Sequence, residues 1–224
     1  MRILVAGGAG YIGSITVEHL VNNGDTVTVI DNLARGHKAA VHPAAAFRQV
    51  DLADAGALDG VFAEGNFDAV MHFCASSLVG ESVEKPLDYY RNNMGSGLNL
   101  VDAMVRHNVS RIVFSSTAAI FGEPAAQPIT EETPKQPLNP YGRTKLYFEH
   151  LLKDAETAHG VKSVCLRYFN AAGATEERGE DHRPESHLIP LIIDAARGRR
   201  ENITVFGDDY PTPDGTCVRD YIHV

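Results

Sequence analysis

The sequence predicts an α/β protein built on a doubly wound parallel sheet, and three observations predict it. Apolar runs of strand length alternate with helix-length segments from residue 3 to residue 168. A glycine-rich turn, Gly7-Gly8-Ala9-Gly10-Tyr11-Ile12-Gly13, separates the first run from the first helical segment. The second run, TVTVID, closes on an acid, Asp31.

Residues 3–6 are an apolar run read as a buried strand, and residues 11–23 carry Ile12, Ile15 and Leu20 at helical spacing. Residues 26–31 are β-branched and apolar, 47–51 read as a third strand and 54–64 as a helix. Residues 69–73 (AVMHF) make a fourth strand, 87–108 a long helix and 111–116 (RIVFSS) a fifth strand. A helix over 141–159 and a sixth strand over 163–168 complete the alternation. Continuously apolar strands separated by helices mean a parallel sheet covered on both faces. After Asn170 the pattern changes. Residues 175–184 are polar and turn-rich and read as a surface loop, 187–197 as a helix and 203–206 as a short strand. The last residues, Arg219-Asp220-Tyr221-Ile222-His223-Val224, are strand-like without a polar tail, which reads as a truncated end.

The chain has 224 residues, 44% hydrophobic and 22% charged, which excludes a largely disordered polypeptide. Its 20 Lys and Arg against 29 Asp and Glu leave a net charge of −9. That charge argues against nucleic acid or an anionic membrane as partner. Cys74, Cys165 and Cys217 are scattered, with no C-x-x-C pair, and read as free thiols in a reducing compartment. No apolar run is long enough for a membrane span or a secretory leader, so the expectation is a soluble, cytoplasmic protein.

The glycine turn contains G-x-G-x-x-G at Gly8, Gly10 and Gly13, and G-x-x-G-x-x-G at Gly7, Gly10 and Gly13. Such a turn lets backbone N–H groups and a helix N-terminus approach a pyrophosphate. Asp31 can accept hydrogen bonds from adenosine ribose hydroxyls and would repel a 2′-phosphate. The expectation is therefore a Rossmann-type sheet that binds NAD in preference to NADP, with Arg35 the one nearby residue pointing the other way.

Asn139-Pro140-Tyr141-Gly142-Arg143-Thr144-Lys145 is the second informative run. Asn139 suits an N-cap and Pro140 the first helical position, so Tyr141 and Lys145 share one helix face. A free tyrosine, with a pKa of about 10, is a poor base at neutral pH. A neighbouring ammonium and a positive nicotinamide ring would favour its phenolate. Ser115-Ser116-Thr117 ends the fifth strand, where ligands bind in open α/β sheets. Hydroxyls there can bridge a substrate and the tyrosine, although Ser115 and Ser116 could equally satisfy loop backbone groups.

Taken together, GGAGYIGS, IDNL, VGES, FSST, NPYGRTK, LRYFNAAG and VRDYIHV resemble the extended short-chain dehydrogenase/reductases, in their nucleotide-sugar-epimerising branch. The resemblance spans the whole chain. It implies a Rossmann-type domain over 1–170 and the start of a smaller substrate-binding domain over 171–224. It also implies reversible epimerisation at C4 of a UDP-hexose through a transient 4-keto sugar, with tightly held NAD, in a homodimer. Tyr141 resembles the family's acid/base, Lys145 its partner on the nicotinamide ribose, and Thr117 the residue sharing the 4-hydroxyl proton. Gly7, Gly10, Tyr11, Ile12 and Gly13 correspond to the phosphate loop. Asp31 and Asn32 look like ribose contacts, Asp51 and Leu52 adenine contacts, and Phe73, Ser115 and Tyr168 further cofactor contacts. On the substrate side stand Ser116, Asn170, the uracil-side residues His187, Leu188, Thr204 and Phe206, and Arg219 on the diphosphate. Ser77 and Gly95 replace a lysine and an asparagine that commonly touch the family's cofactor. The resemblance also implies that the family's gate residue, which decides whether N-acetylated sugars fit, lies beyond Val224.

Related dehydratases carry an Asp-Glu pair after the threonine, whereas Ala118-Ala119 follow Thr117, so water elimination is disfavoured. Two alternatives stay open: another UDP-sugar, such as UDP-N-acetylglucosamine or a UDP-pentose, and a non-catalytic NAD sensor. Among the ten histidines, His182 and His187 flank Glu180, Asp181 and Glu185 at a spacing that fits no ligand pattern. The reading is solvated loop residues and no metal. His72 and Cys74 read as packing residues.

Overall fold

The computed structural model describes all 224 residues. Six strands run in parallel in the order β3-β2-β1-β4-β5-β6. They are β1 (Arg2–Ala6), β2 (Thr26–Asp31), β3 (Ala46–Gln49), β4 (Ala69–His72), β5 (Arg111–Ser115) and β6 (Lys162–Leu166). The order reverses between β1 and β4, and the crevice outside the carboxyl ends of such strands is where this architecture binds ligands. Ile3 of β1 pairs with Val27 on one side and Ala69 on the other.

Successive residues of β1 face opposite sides of the sheet, and both sides are apolar. Leu4 and Ala6 join Ile30, Val70, Phe114 and Phe148 on one face. There α2 (Ala55–Gly65), α5 (Ser96–Arg106) and α6 (Pro140–His159) supply Leu58, Phe62, Leu100, Met104 and Leu152. Ile3 and Val5 join Val17, Val27 and Val29 on the other, beneath α1 (Tyr11–Asn22).

Three differences from the sequence reading matter. A short helix, α3 (Val79–Glu84), precedes the expected long helix, with Ser82 buried and its hydroxyl donated to the Val79 carbonyl. The long helix itself is α4 (Pro86–Tyr89), a π-turn over Tyr90–Gly95 and α5, and Asn93 is buried within that π-turn. Residues 203–206 form no strand: they have no partner strand, Val205 is exposed and Phe206 is 96% exposed. An extended run without a ladder or a surface to cover has nothing to hold it as β-structure.

The chain divides into two compact units, Met1–Tyr168 and Phe169–Val224. The break falls two residues before the boundary at 170 read from the sequence, because Asn170 opens β7 (Asn170–Ala172), which pairs in parallel with β8 (Tyr221–His223). The second unit also holds α7 (Leu188–Ala196). No helix is long and apolar enough to cross a membrane.

Candidate active site

The loop between β1 and α1 is shaped by its glycines. Gly7 has φ +84°, and a Cβ there would lie 2.7 Å from the Cys74 backbone nitrogen. A Cβ on Gly13 would lie 2.1 Å from the Gly7 carbonyl oxygen, so α1 closes onto the turn only with glycine there. Gly10 differs. Its backbone (φ −84°, ψ 175°) suits any residue, and the nearest protein atom to a Cβ would be 3.4 Å away. Gly10 caps α1 without a side-chain hydrogen bond, so the helix N-terminus opens onto space that a side chain would fill. That cradle fits a dinucleotide pyrophosphate.

Asp31 is buried at the end of β2, its Oδ2 accepting from the Ala9 amide at 3.1 Å and its Oδ1 from the Leu33 amide at 2.8 Å. It therefore ties the glycine turn to β2. Asn32 donates to Asp51 Oδ2 at 2.9 Å, and this bond, with one from the Ala53 amide, holds the Asp51 carboxyl below its ordinary value. Leu52 is buried against the apolar core, and Phe73 packs under the opposite face. Tyr11 and Ile12 form the first turn of α1.

The end of β5 and the start of α6 bring the other candidates together. Asn139 caps α6, its Oδ1 accepting from the Gly142 amide at 2.8 Å, with Pro140 in the first turn. Tyr141 and Lys145 then lie one turn apart. Lys145 is 3% exposed and donates to the Ser115 carbonyl at 2.7 Å. Its Nζ is 4.8 Å from the Phe114 ring centroid and 5.9 Å from that of Tyr141. Burial pulls the Lys145 ammonium down to about 8. The Tyr141 phenol is pushed up to about 12 by burial, opposed by its hydrogen bond with Thr117. In the protein alone, burial therefore holds Tyr141 as a phenol. Thr117 is buried, and its Oγ1 also accepts from the Ala119 amide at 3.1 Å.

Ser115 Oγ and the Tyr168 hydroxyl are hydrogen-bonded, and burial raises the Tyr168 phenol above its ordinary value. Ser116 departs from the sequence expectation of a substrate contact. It is 1% exposed, and its hydroxyl donates to Glu149 Oε1 at 2.5 Å, so its side chain serves the interior. Glu149 and Arg167 were not singled out from the sequence, nor was Asn93. Asn93 Nδ2 donates to Thr144 Oγ1 and to the Ser76 carbonyl, each at 3.0 Å. It thereby anchors α6 one residue before Lys145. For Glu149 and Asn93 a sequence clue existed, a polar residue standing on the apolar face of a helical segment, whereas Arg167 follows β6 outside any helix.

His72 and Cys74 are packing residues in the structure. The His72 ring lies against Phe114 and Phe148, and burial of the Cys74 thiol, which packs on the same cluster, raises its pKa.

In the second unit, Asn170 Nδ2 donates to the Asp220 carbonyl at 2.8 Å across the β7–β8 pair. Leu188 opens α7 and is exposed, and Thr204 and Phe206 are exposed. Arg219 is exposed, donates to the Val218 carbonyl at 2.9 Å and makes no ion pair with Asp220. The acidic loop is more ordered than the sequence suggests. Glu180 Oε1 lies 2.7 Å from His187 Nδ1 and 3.0 Å from His182 Nδ1, and Glu185 Oε1 lies 2.9 Å from His187 Nδ1. Burial alone would raise the Glu180 carboxyl, but hydrogen bonds from His182 and His187 bring it down to about 2. The bond to Glu180 is the chief reason His187 is raised above its ordinary value.

Comparisons with known proteins give the chain's relatives. The profile of the NAD dependent epimerase/dehydratase family matches residues 3–224. A Streptococcus mutans protein named UDP-glucose 4-epimerase is 54% identical over 227 residues, covering 100% of this chain and 68% of its own length. A crystal structure of a UDP-glucose 4-epimerase superposes with a TM-score of 0.96 at 53% identity, over 99% of this chain and 68% of that one. The UDP-glucose 4-epimerase from Bifidobacterium longum, solved in complex with NAD+ and UDP, gives a TM-score of 0.95 at 43% identity, over 100% of this chain and 70% of that one.

Proposed function

Because the chain belongs to the NAD dependent epimerase/dehydratase family, we propose that it reversibly epimerises C4 of a UDP-hexose, UDP-glucose to UDP-galactose, through a transient 4-keto sugar. The observation that carries this reading is the Thr117–Tyr141–Lys145 group at the carboxyl end of β5, with Thr117 and Lys145 buried and Tyr141 hydrogen-bonded to Thr117. Relatives 54% and 52% identical, both named UDP-glucose 4-epimerase, support the choice of substrate.

When bound, NAD supplies a hydride acceptor that can return the hydride to either face of C4. Its pyrophosphate is assigned to the Gly7–Gly13 turn and its adenosine ribose to Asp31 and Asn32. Asp51, Leu52, Phe73, Ser115 and Tyr168 are further contacts. Tyr141, linked to Thr117, takes the proton of the C4 hydroxyl and gives it back after the sugar has turned over. Its phenol is raised in the protein alone, so a bound positive ring is needed to bring it toward working pH. Lys145 steadies the nicotinamide ribose. Asn170, His187, Leu188, Thr204, Phe206 and Arg219 are assigned to the UDP end.

We also propose a homodimer. Val79, Val83, Leu87, Leu98 and Tyr147 are exposed on the adjoining helices α3, α4, α5 and α6, and such a patch suits a second copy.

The test is incubation with UDP-galactose, with identification of the product and of the nucleotide released on denaturation. UDP-glucose and NAD are expected. The Tyr141→Phe variant should keep its NAD and lose about 10²–10⁴-fold in turnover. Near-normal turnover in that variant would mean another group carries the proton.

A further inference from the structure

Glu149 lies on α6, four residues beyond Lys145 and eight beyond Tyr141, so one helix face carries all three. It is 9% exposed. A carboxylate buried to that degree is costly unless fully hydrogen-bonded, and its two oxygens accept three donors. Oε1 takes Ser116 Oγ at 2.5 Å and Arg167 Nε at 3.0 Å, and Oε2 takes Arg167 Nη2 at 2.6 Å. The guanidinium thus grips the carboxylate as a planar fork, and its remaining arm reaches Glu131.

The three residues that leave β5 are each held by a different partner. Lys145 holds the Ser115 carbonyl, and Tyr168, next to Arg167, holds the Ser115 hydroxyl. Glu149 holds Ser116. Tyr141 and the Ala119 amide hold Thr117.

We infer that Glu149, clamped by Arg167, is a positioning residue: through Ser116 it fixes the direction in which the chain leaves β5, and hence where Thr117 presents its hydroxyl to Tyr141. This rests on the epimerase reading above. Fold stability alone does not explain the network. Apolar side chains of similar volume commonly replace a buried ion pair without loss of stability. They would fill the space but would not orient Ser116. Orientation matters because a misplacement of about 1 Å can cost about 10²-fold in rate.

Ser116→Ala tests this with the smallest change, since it leaves the Glu149–Arg167 pair intact. In the full chain carrying its NAD, kcat should fall by about 10–100-fold. KM for the UDP-hexose should stay within about 2-fold, with NAD content and melting temperature nearly unchanged. Amide hydrogen exchange supplies a readout independent of turnover. The Ala118 amide donates to the Tyr168 carbonyl at 3.0 Å and the Ala119 amide to Thr117 Oγ1. Both should exchange faster in Ser116→Ala by about 10-fold, as expected if the local opening cost falls by about 1.4 kcal/mol, while amides of β1 and β4 should not. A Ser116→Ala/Glu149→Gln double variant should lose less in kcat than the product of the single losses, because both act through one bond. Unchanged exchange at Ala118 and Ala119 overturns the inference. So does a fall in kcat that merely follows a fall in melting temperature. If the parent chain does not epimerise a UDP-hexose, the functional reading fails, and the exchange measurement alone decides the inference.

Discussion

His72 sits on β4 with its ring 5.5 Å from that of Phe114 and 5.4 Å from that of Phe148. It is 2% exposed, and its Nδ1 has no hydrogen-bond partner. Burial, with the Lys145 charge adding to it, drives its pKa down to about 3 from the ordinary 6.5. The folded chain therefore binds this proton at lower pH than the unfolded chain does. Its contribution to stability is complete above about pH 6.5 and is lost as pH falls toward 3. At about 1.4 kcal/mol per tenfold in proton affinity, the loss is on the order of 5 kcal/mol. His72→Leu should therefore show a smaller fall in melting temperature between pH 6.5 and 4 than the parent. Parallel curves for the two proteins would remove His72 from the acid response.

At the scale of the element, the β1–α1 turn separates glycines required by the fold from one that is not. Gly13→Ala places a methyl 2.1 Å from the Gly7 carbonyl oxygen, so both melting temperature and NAD content should fall. Gly10→Ala meets only an ordinary 3.4 Å contact. Its melting temperature should drop little, since an alanine N-cap costs about 1 kcal/mol or less relative to glycine. Its NAD content should drop strongly, because the methyl fills the cradle. Measuring released nucleotide and thermal unfolding side by side checks both variants. A Gly10→Ala protein with full NAD content would move the pyrophosphate elsewhere.

At the scale of the whole molecule, the apolar residues left exposed on α3, α4, α5 and α6 bear on assembly. Leu87, exposed on α4, is a suitable probe. Leu87→Asp should convert a dimer into a monomer in sedimentation experiments, since a buried, unpaired carboxylate at an interface is unfavourable. An unchanged sedimentation coefficient, whether monomeric or dimeric, would place the assembly surface elsewhere or show there is none.

Periodicity and turn chemistry carried most of the sheet. The six parallel strands and the main helices were legible because each is a local pattern: an apolar run, a glycine turn, or an Asn-Pro helix start such as Asn139-Pro140. The proximity of Tyr141 and Lys145 was legible for the same reason, since four residues on a helix make one turn. What depended on distant partners was not. Residues 203–206 looked like a strand but found no strand to pair with, while Asn170–Ala172 became one because Tyr221–His223 lies alongside. Ser116 resembled its neighbours in sequence, and only the packing of α6 against β5 and β6 turned it onto Glu149. The ionisation of Tyr141, Lys145 and His72 was likewise decided by burial. Desolvation depends on everything that surrounds a group in space, and that is not written in the residues adjacent to it in the chain.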